Sequence, residues 1–494
     1  MKGYVVQKDS LDVKVLREMR EELTVKPLSN PNFADTVEPY PVYVESKTNI
    51  YLPRFYGLAK LGVPSKGFLF PALEQRPNLT TTMTLRDYQH PIITKTLDVL
   101  NNGDGGGVLE LYTGSGKTSI AIYLICQLKV KTLIIVHKSF LLQQWVDRIK
   151  QFVPGASIGV IQGTVTDVAD KDIVIGMLQT LSMKEHNDTL FDDFGFTVCD
   201  ECHHLSAEVF CRALQKIATK NMLGLSATPK RKDGLTKVMH WYLGPTAYRL
   251  QRDGDESQKV LVKKIVFNCD NMEYRKEFKN FKGIVSLPQM ITNVAGFAPR
   301  NAVIIHEILQ YIGEKGRQVM VISDRISHLI ELKTILETSK KHIVTGLYTG
   351  SQKQKELQVS EKADVIFSSY AMCREGLDIQ SLNTIILATS TGDVVQTCGR
   401  ILRKVHDVSP LVIDIVDNFS TFAGQSKKRD TFYKKSKYHI TTKIYKCGTH
   451  QLSSLDLSTV EMAKDAATNK KDAADAEADV KTEATCEFIE EEED

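Results

Sequence analysis

The sequence predicts an α/β protein with two doubly wound parallel-sheet lobes, a small N-terminal accessory domain before them and a disordered acidic tail behind. Three observations predict it. Short β-branched runs recur along the chain, the stretches between them carry apolar residues at helical spacing, and this alternation breaks off once and then resumes. Apolar runs without polar alternation are strands covered on both faces. Strands separated by helices make a parallel sheet. Of the 494 residues, 42% are hydrophobic, which is enough to fill two such cores.

In chain order, residues 1–82 form the accessory domain. They hold short strand-like pieces, YPVYVE (40–45) and NIYLPRFYGL (49–58), punctuated by Pro and Gly. The first lobe spans 83–249, with strands expected at TLIIVH (132–137), DIVIGM (172–177), FTVCDE (196–201) and MLGLSAT (222–228). A helix is expected over SFLLQQWVDRIKQFV (139–153). Residues 250–290 are richer in charge and read as a connector. The second lobe, 291–446, repeats the rhythm in RQVMVIS (317–323), HIVTGLY (342–348), ADVIFSS (363–369), NTIILAT (383–389) and PLVIDIV (410–416). The tail, 447–494, has too little apolar surface to offset chain entropy.

Composition narrows the functional class. Residues 461–494 hold 13 acidic and 4 basic side chains, a charge of −9, so the net +3 of the chain conceals a body of +12 over residues 1–460. A basic body suits a polyanionic partner; a neutral enzyme with a solubilising tail is the bland alternative. The nine cysteines are scattered and odd in number, which fits reduced thiols inside a cell rather than a disulfide framework. No apolar run approaches a membrane span, and the N-terminus has no secretory core. The expectation is a soluble intracellular protein.

Two motifs carry the chemistry. LYTGSGKTS (111–119) follows an apolar stretch and opens a helix, the setting a phosphate loop requires. Gly114 and Gly116 let backbone amides curl around a phosphate, and the helix N-terminus adds partial positive charge. Lys117 reaches the β- and γ-phosphates of ATP, and the Thr118 hydroxyl joins Mg²⁺. VCDECHH (198–204) places two adjacent carboxylates at a strand end: Asp200 for Mg²⁺ and Glu201 as general base toward water. A zinc site using Cys199, Cys202, His203 and His204 is the rival reading of that stretch.

Further along, Ser226 and Thr228 follow a strand, where they act on phosphate or simply cap a helix. In QTCGRILR (396–403), Arg400 and Arg403 are three apart and share one helix face. They suit either γ-phosphate charge or a solvated basic surface. The Lys/Tyr stretch 426–446 has eight basic residues and one acidic. It is a further nucleic-acid contact or a basic linker.

Taken in order, these motifs resemble those of the superfamily 2 helicases, from LRDYQ (85–89) to about Asp417. The resemblance implies two RecA-like lobes, ATP and Mg²⁺ as cofactors, and nucleic acid as partner. Residues 113–119 (Thr113, Gly114, Ser115, Gly116, Lys117, Thr118 and Ser119) then form the nucleotide cradle. Gln89 is similar to the adenine-reading glutamine of that family, whose amide can pair with the base edge. VHKSFLLQQW (136–145) and GMLQTLS (176–182) resemble the backbone-touching motifs Ia and Ib. VISDR (321–325) resembles motif IV. SSYAMCREGLDIQ (368–380) resembles motif V, with Gly376 and Asp378 counted among the nucleotide-binding residues. Gln396, Arg400 and Arg403 match the catalytic motif VI. DECH with GLSATPKRKDGL is closest in pattern to the XPB/UvsW branch and to helicases of large DNA viruses, including the transcript-release type.

The expected machine is an ATP-driven motor whose lobes close on nucleotide, acting on DNA or DNA/RNA hybrids in viral transcription, repair or recombination. A duplex translocase that displaces RNA or protein without strand separation is the alternative, and a non-enzymatic scaffold is the third class. Transcription or replication machinery is the expected company of a monomer.

Overall fold

Each half of the chain builds its own eight-stranded sheet. The computed structural model describes residues 3–28, 38–64, 70, 73–187, 189–203, 207–217, 219–227, 234–250, 259–281, 283–340, 342–375, 379–447 and 460–463. Two compact units result, Met1–Asp255 and Glu256–Asp494.

The first unit begins with a three-stranded antiparallel sheet of β1 (Tyr4–Gln7), β2 (Val44–Glu45) and β3 (Asn49–Leu52). Its large sheet contains β4 (Gly106–Leu111), β5 (Thr132–Val136), β6 (Ile158–Gln162), β7 (Val165–Asp167), β8 (Ile173–Met177), β9 (Phe196–Cys199), β10 (Asn221–Ser226) and β11 (Thr246–Leu250). Their spatial order is β11-β4-β10-β9-β5-β8-β6-β7, parallel throughout except for the closing β6–β7 hairpin. Every residue of β4, β5, β8, β9 and β10 is buried, as the unbroken apolar runs require. The helix Ser139–Phe152 turns Leu141, Leu142, Trp145, Val146 and Ile149 onto one face of this sheet.

The N-terminal segment has no core of its own. Tyr4, Met19, Leu23, Ile50 and Tyr56 pack in one cluster with Leu133, Cys199 and Leu243 of the large sheet and its helices. Arg54 fixes the attachment. Its guanidinium, buried at 7% exposure, donates to the carbonyls of Thr219 (3.2 Å), Lys220 (2.7 Å) and Asp104. Burial brings its pKa down to about 10. Phe55 lies against Gly106, where an added Cβ would sit 2.0 Å from the ring. PRFYGL is thus the bracket that ties residues before the lobe to the edge of its sheet.

The second unit holds β12 (Leu261–Cys269), β13 (Val319–Ser323), β14 (Thr345–Tyr348), β15 (Val365–Ser369), β16 (Thr384–Leu387), β17 (Leu411–Asp417), β18 (His439–Cys447) and β19 (Val460–Ala463). The order is β14-β15-β13-β16-β17-β12-β18-β19, parallel except for the last pair. Two expectations change here. Within the stretch read as connector, residues 261–269 form β12, paired on both sides by β17 and β18. Its charged residues misled the reading: Lys263 and Lys264 are half-buried and spend their charge on Glu307 (2.6 Å) and Asp430 (2.7 Å). Within the tail read as disordered, Val460–Ala463 pairs with β18; residues 464–494 lie outside the described residues.

At the centre of the second unit Arg300 forms a two-pronged ion pair with Asp417 (2.6 and 2.9 Å), and the Tyr274 hydroxyl donates to the same carboxylate (2.6 Å). The eight described cysteines are all buried, and no helix among the described residues is long and apolar enough to cross a membrane.

Candidate nucleotide-binding site

β4 ends at Leu111 and the helix Lys117–Leu128 begins six residues later, so residues 112–116 must reverse the chain in a tight loop. Gly114 (φ +93°) and Gly116 (φ +81°) supply the left-handed backbone that this requires. The first intrahelical bond runs from the Ile120 amide to the Gly116 carbonyl at 2.9 Å. The amides of residues 117–119 therefore face beyond the helix end, in the arrangement that binds anions.

Gln89 closes one side of the cradle. Its Nε2 donates to the Ser115 carbonyl (3.2 Å), its Oε1 accepts from the Arg86 amide (2.9 Å), and the residue is 4% exposed. An added Cβ on Gly116 would lie 2.7 Å from Gln89 Nε2. Tyr88, which sequence reasoning passed over, donates its hydroxyl to the same Ser115 carbonyl at 3.1 Å. The Lys117 ammonium reaches back to the Leu111 carbonyl at 3.4 Å. The hydroxyls of Thr113 and Ser115 are buried with no hydrogen-bond partner among the described residues. Such orphaned donors inside a glycine-lined loop fit a phosphate ligand. Thr118 and Ser119 occupy the helix's first turn, half-buried.

Asp200 and Glu201 emerge from the end of β9, between β5 and β10. Asp200 is 7% exposed. It accepts from Trp145 Nε1 at 2.8 Å and from the Glu201 amide at 2.9 Å. Burial, then the adjacent Glu201 charge, raise its pKa to about 6, opposed by the Trp145 hydrogen bond and the Lys117 ammonium. That last effect places the cradle lysine within electrostatic reach of the strand-end carboxylate. Glu201 sits at φ +45°, a left-handed backbone that is unusual outside glycine and asparagine. His203 Nδ1 lies 2.8 Å from the Ser226 hydroxyl and 3.4 Å from a Glu201 carboxylate oxygen, which links the end of β10 to the acidic pair.

The zinc reading finds no support in this geometry. Cys199 and Cys202 are fully buried among apolar side chains, with burial pushing both thiols up, and Cys202 Sγ rests 3.3 Å from Met239 Sδ. His204 lies outside the described residues, and among those described no three or more His, Cys, Asp or Glu side chains gather as a metal-ligand set.

In the second unit Gln396 is buried on the short helix Val395–Gly399. Arg400 opens a 3₁₀ turn, Arg400–Leu402, with Arg403 just after it; residues three apart eclipse in that geometry. Arg400 is 7% exposed, and its guanidinium donates to the carbonyls of Cys373 (2.8 Å) and Arg374. The reading of two solvated guanidiniums on a helix face therefore fails for Arg400. Both arginines are close enough to depress the Tyr348 phenol and the Cys373 thiol, although burial dominates each of those groups. Thr228, Gly376 and Asp378 lie outside the described residues.

Comparison with known proteins adds the family. A protein of Acanthamoeba polyphaga mimivirus named as an ATP-dependent RNA helicase is 37% identical over 451 residues, which cover 89% of this chain and 85% of that one. The chain belongs to the superfamily 2 helicases. Residues 82–231 of this helicase match the family described as type III restriction enzyme, res subunit. It is 26% identical over 391 residues to a DNA 3'-5' translocase, XPB2, of Sulfurisphaera tokodaii, covering 72% of this chain and 86% of that one. In fold it is similar to a solved fragment of an HsdR subunit of a type I restriction enzyme from Vibrio vulnificus, with a TM-score of 0.53 and 16% identity over 76% of this chain and 72% of that one. Two RecA-like lobes and an ATP-dependent helicase or translocase activity on nucleic acid come with that membership.

Proposed function

We propose that this helicase uses ATP and Mg²⁺ to move along DNA or a DNA/RNA hybrid. The observation that carries the reading is the cradle itself: left-handed glycines, buried hydroxyls without partners and Lys117 stand beside a buried carboxylate at a strand end. Thr118 and Asp200 would hold Mg²⁺, which supplies charge neutralisation at the phosphates. Residues 113–119 hold the phosphates, and Gln89, already locked against Ser115, presents its remaining amide capacity to the base. Glu201 takes the proton of the attacking water, positioned by its strained backbone and by His203. Arg400 and Arg403 answer the γ-phosphate charge, which requires Arg400 to exchange its carbonyl partners when nucleotide binds. Gly376 and Asp378 complete the nucleotide-binding set in this reading.

ATP hydrolysis measured with single-stranded DNA, duplex DNA and RNA tests the proposal. Stimulation by nucleic acid should disappear in Lys117→Ala and fall about 100- to 1,000-fold in kcat for Arg403→Ala. Wild-type turnover retained in Lys117→Ala would sink it. The XPB2 likeness favours a second reading, translocation on duplex DNA without strand separation. Triplex displacement measured beside strand displacement separates the two. In this reading the motor works beside a transcription or replication apparatus; the viral source of the mimivirus relative favours an infected cell as the setting.

A further inference from the structure

The stretch 426–446 divides sharply by burial. Arg429, Tyr433 and Tyr445 are buried, so these three face neither a ligand nor solvent. Arg429 donates to Asp414 (2.9 Å), Tyr433 donates to the same carboxylate (3.2 Å), and Tyr445 donates to Glu307 (2.8 Å). The charged side chains fully exposed on the helix that opens this stretch are all basic. The helix Ser420–Lys435 exposes Thr421, Gly424, Lys427, Lys428, Thr431, Lys434 and Lys435, a single face at helical spacing, and Lys437 follows at its end. None of these five lysines is ion-paired among the described residues, and the segment's one carboxylate, Asp430, is spent on Lys264 at 2.7 Å.

That face is wired to the motif that carries Gln396 and Arg400. Arg429, on the opposite side of the same helix, also donates to the Ser390 hydroxyl (3.1 Å) and the Thr391 carbonyl (2.6 Å). Arg374 grips the same loop through the Thr391 hydroxyl (2.8 Å) and the Asp393 carbonyl (2.9 Å). The Lys428 stem lies beside Gly392 of that loop, at ordinary contact distance from where a Cβ would sit (3.4 Å to Cδ). The helix that carries the lysine face thus contacts residues 390–393, directly before the helix Val395–Gly399.

We infer that the lysine face of the helix Ser420–Lys435 binds the phosphate backbone of the nucleic acid on which the helicase acts. The inference rests on the nucleic-acid motor proposed above. A row of unpaired ammonium groups is complementary to a polyphosphate and carries no base-reading element, so the contact is independent of sequence. Charge complementarity singles out a polyanion, and the flanking loop leads to the ATPase motif.

The test is a full-length quadruple variant, Lys427→Gln, Lys428→Gln, Lys434→Gln and Lys435→Gln, with circular dichroism and melting to confirm the fold. Duplex and single-stranded DNA and RNA oligonucleotides are titrated at several salt concentrations, and ATPase activation is measured in parallel. The slope of log affinity against log salt should become shallower by about two to four. The nucleic-acid concentration giving half activation should rise at least tenfold, while saturated kcat stays within twofold. An unchanged slope and activation constant in a folded variant, with wild type still stimulated, overturns this inference alone. Wild type without stimulation by any of the three polymers overturns the motor on which it rests.

Discussion

Asp200 shows what a single position must satisfy. A carboxylate that is to hold a cation has to stay ionised in a buried strand end, and burial raises its pKa to about 6. Trp145 Nε1 and the Glu201 amide offset that cost with two hydrogen bonds. Trp145 was visible in the sequence only as an apolar face residue of an amphipathic helix, because its partner lies 55 positions away. The same holds for Tyr88, 27 positions from Ser115. Trp145→Phe keeps the ring's packing and removes the donor. We expect the Mg²⁺ concentration for half-maximal ATPase to rise about 10- to 100-fold, with little change in the melting temperature of the first unit. An unchanged metal requirement in the Mg²⁺ titration would show the indole to be packing only.

At the scale of elements, two buried polar groups hold their units together. Arg54 satisfies three backbone carbonyls from two separate loops, that of buried Thr219 and those of exposed Lys220 and Asp104, so Arg54→Met unties the two loops and leaves the Thr219 carbonyl without this donor. A loss of about 3 kcal/mol is expected in the denaturant-unfolding transition of the first unit, with the second unit's transition unmoved. Separate fluorescence reporters in each unit would read this. In the second unit, His328 is buried between Ser323 Oγ (3.0 Å from Nδ1) and Asn301 Oδ1 (2.9 Å from Nε2). The Asn301 oxygen can only accept, so Nε2 carries a proton, and in the neutral ring Nδ1 accepts from the Ser323 hydroxyl. Burial, and then the Arg300 charge, depress its pKa from 6.5 to about 3. The folded state thus resists a proton that the unfolded state takes up. Its stabilising contribution is complete above pH 6.5 and declines as pH falls toward 3, by up to about 1.4 kcal/mol per pH unit. His328→Gln should flatten that slope between pH 6.5 and 4.5, and a slope identical to wild type in urea titrations would contradict the assignment.

For the whole molecule, charge is distributed unevenly, with +12 over residues 1–460 against −9 over residues 461–494. The carboxylates of the tail compete with nucleic-acid phosphates for the basic body, and salt screens that competition. Truncation after residue 463, which keeps β19, should therefore raise nucleic-acid affinity about tenfold at low ionic strength, and the gain should vanish near 0.5 M salt, where the Debye length is about 4 Å. Fluorescence-anisotropy titrations across salt would show it, and a gain that persists at high salt would point away from electrostatics.

Much of this protein was legible because its signals are local. Unbroken apolar runs mark strands covered on both faces, glycines mark the loop that must turn left-handed, and paired carboxylates at a strand end mark where charge is tolerated. Each depends on near neighbours in the chain, and nearest-neighbour sterics and periodicity are written in the sequence itself. Tertiary structure alone decided that β12 belongs inside the second sheet, that Arg54, Arg429 and Tyr433 are buried, and that Arg400 is held by carbonyls. Those outcomes turn on which distant segments meet. A lysine, arginine or tyrosine carries the same letters whether its charge or hydroxyl ends in water or against a partner more than a hundred residues away.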